Sequence, residues 1–90
     1  MSVTVSIFDP VMQQCTNQDS VEVDGNTVGE CLDDLIRQFP DVEKWIFDER
    51  RQLRRHVFVY VNAESTYKVE LAKPVKDKDN LIIAVLITGG

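Results

Sequence analysis

The chain has 90 residues, enough for one domain that can fold alone and bury roughly 60–70% of its unfolded surface, with ordinary globular proportions of apolar (43%) and charged (28%) residues. No apolar stretch approaches the roughly 18–20 residues a transmembrane helix needs, and Met1-Ser2-Val3-Thr4 carries no signal-like block, so a cytoplasmic protein is the expectation. The net charge of −5 is uneven: nine acids against two bases up to Phe47, six against eight from Asp48 onward, and an acidic first half argues against general nucleic-acid binding.

Val3-Thr4-Val5-Ser6-Ile7 alternates as a half-buried strand does, and Asp9-Pro10 ends it. The polar segment Gln13 to Asp19 reads as a turn or loop. Ser20-Val21-Glu22-Val23 alternates again and predicts a second strand in a hairpin with the first, closed by Asp24-Gly25. Thr27-Val28-Gly29-Glu30 has the form of a capping box: the Thr27 hydroxyl accepts from the Glu30 amide, and the Glu30 carboxylate reaches back to the N-cap amide. Val28, Cys31, Leu32, Leu35, Ile36 and Phe39 then fall on one stripe of an amphipathic helix that Phe39-Pro40 stops. Cys31 is on that stripe and reads as a small core residue. With Cys15 it fits no metal or redox spacing.

Asp41 to Phe47 predicts a single helical turn seating Trp45 or Ile46 on the core. Asp48 to His56 holds four arginines without the glycines and aromatics of an RNA-stacking motif, and reads as a solvated turn or an edge meeting an acidic partner. His56, the only histidine, has no companion ligand nearby. Val57 to Asn62 predicts a third strand, with the valines on one face and Phe58 and Tyr60 on the other. Ala63 to Thr66 reads as a turn, Tyr67 to Leu71 as a candidate short edge strand, and Lys73 to Asp79 as a polar loop. The apolar run Leu81 to Thr88 predicts a last strand buried on both faces, followed by Gly89-Gly90. The order ββαβ(β)β predicts an α+β fold in which the last strand runs parallel to the first, the helix supplying the crossover. That is the β-grasp, or ubiquitin-like, mixed sheet packed on one main helix, in a single domain spanning 1–90.

The sequence resembles the MoaD/ThiS sulfur carriers of the ubiquitin-like superfamily along essentially its whole length. The resemblance rests on Thr27-Val28-Gly29-Glu30-Cys31-Leu32-Asp33-Asp34-Leu35, on Val57-Phe58-Val59-Tyr60-Val61-Asn62, on Lys76-Asp77-Lys78-Asp79 and on the final Gly89-Gly90. Two departures stand out: Lys78 occupies a position where the family usually has glycine, and Ala84-Val85-Leu86-Ile87-Thr88 replaces the usual proline and small residues.

The resemblance implies a carrier rather than an enzyme. An ATP-dependent E1-like activating enzyme adenylates the Gly90 carboxylate, sulfur displaces AMP, and the resulting thiocarboxylate donates sulfur to a synthase. Gly89 and Gly90 (the tail being residues 88–90) suit a narrow channel because they add no side-chain bulk. No cofactor or metal is expected on the chain itself, ATP belonging to the activating enzyme. Chain length leads to the small subunit of molybdopterin synthase, acting with that enzyme's large subunit. Carriers for thiamin thiazole or cysteine biosynthesis, and a ubiquitin-like protein modifier, are the alternatives. The expected partner surface is the outer sheet face, with Phe58, Tyr60, Ile82, Ala84 and Leu86, since an apolar patch of that size marks an interface. A plant-type ferredoxin on the same fold is excluded, because its cluster takes four cysteines and the chain has two.

Overall fold

A computed structural model describes residues 2–8, 10–66 and 70–85. Five strands form one mixed sheet in the order β2-β1-β5-β3-β4. β1 (Ser2–Ile7) and β2 (Ser20–Asp24) pair antiparallel, and β5 (Asn80–Val85) lies parallel to β1 with Val5 beside Leu81 and Ile7 beside Ile83. β3 (Val57–Val61) runs antiparallel to β5, and β4 (Glu64–Ser65) adds two residues at its far edge. The alternation read from the sequence sets the faces. Val3, Val5, Ile7, Val21, Val23, Val57, Val59, Val61, Leu81 and Ile83 all point to one side and are buried.

That side is covered by α2 (Val28–Gln38), whose Val28, Cys31, Leu32 and Leu35 are fully buried. Its start is built as expected at Thr27, whose hydroxyl accepts from the Glu30 amide at 3.1 Å. The return bond differs: the Glu30 carboxylate takes the amide of Asn26, one residue before the cap, at 2.8 Å. Thr27 forms an isolated antiparallel bridge with Pro74, made by the Val28 amide on the Lys73 carbonyl and the Val75 amide on the Asn26 carbonyl, each at 2.9 Å. The incoming segment runs so close to the helix that a β-carbon on Gly29 would meet the Leu71 carbonyl oxygen at 3.1 Å.

Three expectations are corrected. Residues Pro10–Thr16, read as polar loop from Gln13 on, form a helix, α1. Proline opens it at no cost to hydrogen bonding, Met12 is fully buried, the Gln13 side chain donates to the Ile7 carbonyl at 2.7 Å, and the buried Thr16 hydroxyl bonds the Gln18 carbonyl at 2.9 Å. Its polar side chains close local main-chain groups, which is why the segment lacks an amphipathic signature. Glu64–Ser65, read as turn, is the edge strand, and residues 70–72, placed in an edge strand as far as Leu71, form a 3-10 turn; residues 67–69, the rest of that expected strand, lie outside the described residues. β5 is buried on one face only, since Ile82 and Ala84 on the other face are half-buried. The short turn α3 (Glu43–Ile46) does seat Ile46 in the core and leaves Trp45 on the surface.

Candidate functional site

The site grows from β5, which carries the chain toward the glycines. Its start is held by a polar latch. The Asn80 amide donates to the Asn62 side-chain oxygen at 3.0 Å, the Asn62 amide donates to the Asn80 carbonyl at 2.8 Å, and Ser6 Oγ donates to Asn80 Oδ1 at 3.1 Å. Asn62 Nδ2 donates in turn to Asp79 Oδ1 at 3.0 Å, and Asp79 Oδ2 accepts from the Lys76 amide at 2.8 Å. These bonds hold the Asp79 carboxyl below its ordinary range, the Asn62 side chain contributing most and the Lys76 amide next. A latch at Asn80 fixes register, and register decides which side chains face out, because a one-residue slip would reverse every one of them.

With this register, Ala84 lies directly across from Phe58 and Ile82 directly across from Tyr60. Four of the five residues expected on the partner surface are thus brought together as two facing cross-strand pairs, and Phe58 is 39% exposed. Leu86, Gly89 and Gly90 lie outside the described residues. The patch has a polar neighbour on β1, whose outward Thr4 and Ser6 are half-buried, and an acidic one on β2, whose Glu22 and Asp24 are exposed. Sequence reasoning missed two features. Phe8, 64% exposed, follows the Ile7–Ile83 pair at the end of the sheet where β5 finishes; a lone aromatic between a strand and a proline gave no periodic signal. The Asn62–Asp79–Asn80 latch was visible only as the asparagine ending the third strand.

The acidic face of α2 is less free than its composition suggests. Asp34 bonds Arg37, the Asp24 amide at 2.9 Å and the Gln38 side chain, and Arg37 with the Asp24 amide holds its carboxyl below the ordinary range. Asp33 and Glu43 share Arg51, whose guanidinium also lies 5.0 Å from the Phe47 ring centre. Burial, with Glu30, Asp24 and Asp34 nearby, pushes the Cys31 thiol up to about 11, so it is a core residue and a poor nucleophile. His56 is exposed in the turn before β3. Among the described residues no group of His, Cys, Asp or Glu could hold a metal ion, and no helix is long and apolar enough to cross a membrane.

What the sheet can do, on this geometry, is present an apolar, register-locked surface beside the strand that leads to Gly89-Gly90. No family model matches the chain. The sulfur carrier protein CysO of Mycobacterium tuberculosis is 31% identical over 93 residues, covering all of both chains. Among solved structures, a chain of the Amycolatopsis orientalis BexX/CysO complex is 34% identical with a TM-score of 0.86, covering 98% of this chain and 99% of that one. SAMP1 of Haloferax volcanii superposes with a TM-score of 0.88 at 26% identity over the whole of both chains. The putative molybdopterin converting factor subunit 1 of Pyrococcus furiosus, at 19% identity and a TM-score of 0.73 over 97% and 99%, shares the fold. A relative this similar over its full length settles the family to which the β-grasp sheet and the capping-box motif pointed: the chain belongs to the ubiquitin-like sulfur carriers typified by CysO.

Proposed function

We propose that this carrier is loaded at the Gly90 carboxylate. A carboxylate is a poor acyl donor until one oxygen becomes a good leaving group. An ATP-dependent E1-like enzyme joins that oxygen to AMP with release of pyrophosphate, and a sulfur nucleophile then displaces AMP to leave a thiocarboxylate. The thiocarboxylate delivers its sulfur to an acceptor bound by a partner synthase. The chain supplies no base, nucleophile or cofactor in this scheme and acts as a substrate of cytoplasmic partner enzymes, with Gly89 slim enough for a narrow channel. Phe58, Tyr60, Ile82 and Ala84 form the surface those partners grip, and Leu86, outside the described residues, is assigned to it by sequence parity alone.

The observation that carries the reading is the full-length match to a sulfur carrier, on a chain in which Gly89-Gly90 follow the strand packed at the sheet's centre. It also moves the branch. The chain is nearer in sequence to CysO than to the molybdopterin subunits, whose likeness is one of fold, so a CysO-type role in cysteine biosynthesis ranks ahead of the molybdopterin role that chain length suggested. A modifier role, with activated Gly90 forming an amide on a partner lysine, is the second reading, favoured by the likeness to SAMP1.

Intact-mass measurement tests the scheme. Incubation with ATP, sulfide and the cognate activating enzyme should raise the mass by one oxygen-for-sulfur exchange. A partner-sized adduct supports the modifier reading instead. Deleting Gly90 should abolish either product without altering the fold, and undiminished sulfur transfer by that variant would overturn the proposal.

A further inference from the structure

β5 ends where β3 begins: Val85, its last residue, lies across from Val57, the first of β3. Just before Val57 the chain makes a tight turn, closed by the Val57 amide on the Arg54 carbonyl at 3.0 Å, with Arg55 and His56 exposed at its corners. This turn therefore flanks the point at which the chain leaves the sheet toward Gly89-Gly90. On the other flank β1 stops at Ile7, beside Ile83, and is followed by the exposed Phe8.

The turn is fixed in place and cationic. Arg54 is tied to α3 twice, its amide donating to the Ile46 carbonyl at 3.0 Å and its Nε to the Lys44 carbonyl at 2.7 Å. Arg50 lies close by, lining with Arg54 a surface hollow that also holds Asp48 and Glu49. One Asp48 carboxylate oxygen is spent on the Arg50 and Gln52 amides, at 2.8 and 3.0 Å. The ion pairs among the described residues engage Arg37 and Arg51, not Arg50, Arg54 or Arg55. With the exposed Lys44, the cations around the turn outnumber these two acids, on a chain whose net charge is −5.

Residues 86–90 separate Val85 from the Gly90 carboxylate, and a stretch of that length spans at most about 17 Å. A protein that takes this carboxylate into an enclosed site must bring its own surface within that distance of Val85, and so against the turn. We infer that Arg54-Arg55-His56, with Arg50, docks an acidic lip at the mouth of the activating enzyme's channel. The inference rests on the loading of Gly90 proposed above. The phosphates of ATP are not what these arginines meet, since a tail drawn out through a channel carries Gly90 farther from the turn than an arginine side chain reaches. A second copy of this chain is a poor occupant, because Asp33 and Asp34 on its α2 face are already paired. Carboxylates on a partner's rim would steer the encounter and set its orientation, which is what charge pairs at the edge of an interface do best.

The test compares full-length variants in ATP-dependent pyrophosphate release by the cognate activating enzyme, with sulfide present and at low salt. Arg55→Glu should raise KM for the carrier about tenfold and leave kcat unchanged, because the lost charge pair acts before the chemistry, and high salt should shrink the difference. Lys73→Glu, the same charge change on the loop leading into β5, should leave KM where it was. An unchanged KM for Arg55→Glu, a fall in kcat instead, or an equal effect of Lys73→Glu would overturn the inference while Gly90 loading stands. If the parent chain supports no pyrophosphate release, the loading reading fails, and the turn is judged by NMR titration of the isotope-labelled chain with a blocked hexaglutamate peptide. Saturable shifts centred on Arg50 and on Arg54 to Val57, weakened by Arg55→Glu, would support an acidic protein partner. Absent or scattered shifts, or equal affinity for tripolyphosphate or hexauridylate, would overturn it, the last two in favour of a simple anion site and of nucleic acid.

Discussion

Replacing Ala63 or Lys78 by glycine should make the protein more stable. Both residues hold the backbone in the left-handed region, with φ of 70° and 71°. Ala63 follows Asn62, at φ 51°, in the two-residue turn between β3 and β4; positive φ at both positions is the type I′ hairpin turn, whose second residue is normally glycine. Lys78 is the third residue of a turn closed by the Asp79 amide on the Lys76 carbonyl at 3.1 Å, and a positive φ there is the type II signature that asks for glycine. A β-carbon in this region costs about 1–2 kcal/mol, and the extra freedom of glycine in the unfolded chain returns about 0.5–1 kcal/mol. The net gain is about 0.5–1 kcal/mol at each site, or roughly 2–8 °C in Tm for a domain of this size. Urea unfolding should show a higher midpoint with an unchanged slope. Lys78→Ala supplies the control, because it removes the charged side chain and keeps the β-carbon, and its stability should stay within about 0.5 kcal/mol of the parent. If Lys78→Gly is no more stable than Lys78→Ala, the strain argument is wrong.

Other outcomes follow from the same contacts. Arg51→Ala removes the exposed bridges to Asp33 and Glu43 and the contact with Phe47, so it should lower stability by about 1 kcal/mol at low salt and by less at high salt, read from urea midpoints in both. Asp34, Asp48 and Asp79 have folded pKa values below their ordinary ones. The stability they contribute is present above the unfolded carboxylate value of about 3.9 and lost as pH falls through their lower folded values, so Tm should drop across that window and Asp79→Asn should flatten the drop. Iodoacetamide at neutral pH should leave Cys31 unmodified in the folded protein and label it after unfolding, as peptide mass mapping would show. Phe58→Ala should weaken capture by an activating enzyme or synthase while leaving Tm nearly unchanged, whereas charge reversal at Asp33 should do so less; the opposite ranking would move the partner surface to α2.

The parts of this fold that could be read from the residues are those whose burial is periodic. β1, β2 and β3 alternate without interruption, and α2 has both a stripe and a cap, so the sheet and its covering helix were legible, with the parallel closure of β5 on β1 following from the crossover. α1 was not, because Met12 and Thr16 face the core while Gln13 and Thr16 spend their polarity on nearby main-chain groups. β4 was hidden by its length: two residues cannot alternate. Trp45 and Ile46 were equally plausible as core residues, and the single turn that carries them has room inside for one. Of the candidate site, Phe58, Tyr60, Ile82 and Ala84 could be assigned to one face by parity alone. The latch that enforces this parity could not, since it joins residues distant in the sequence through side-chain amides.

Because β5 fills the gap between β1 and β3, neither half of the sheet can be completed until that strand has been made. A ribosome must release residues 80–85 before the earliest strand finds its parallel neighbour, so closure waits for their emergence and then happens as one event. A product broken off earlier would keep two bare strand edges and fall to aggregation or proteolysis. Every folded copy is therefore one that has already acquired the strand leading to its glycines, and an activating enzyme of the kind proposed above would be spared sorting finished molecules from unfinished ones.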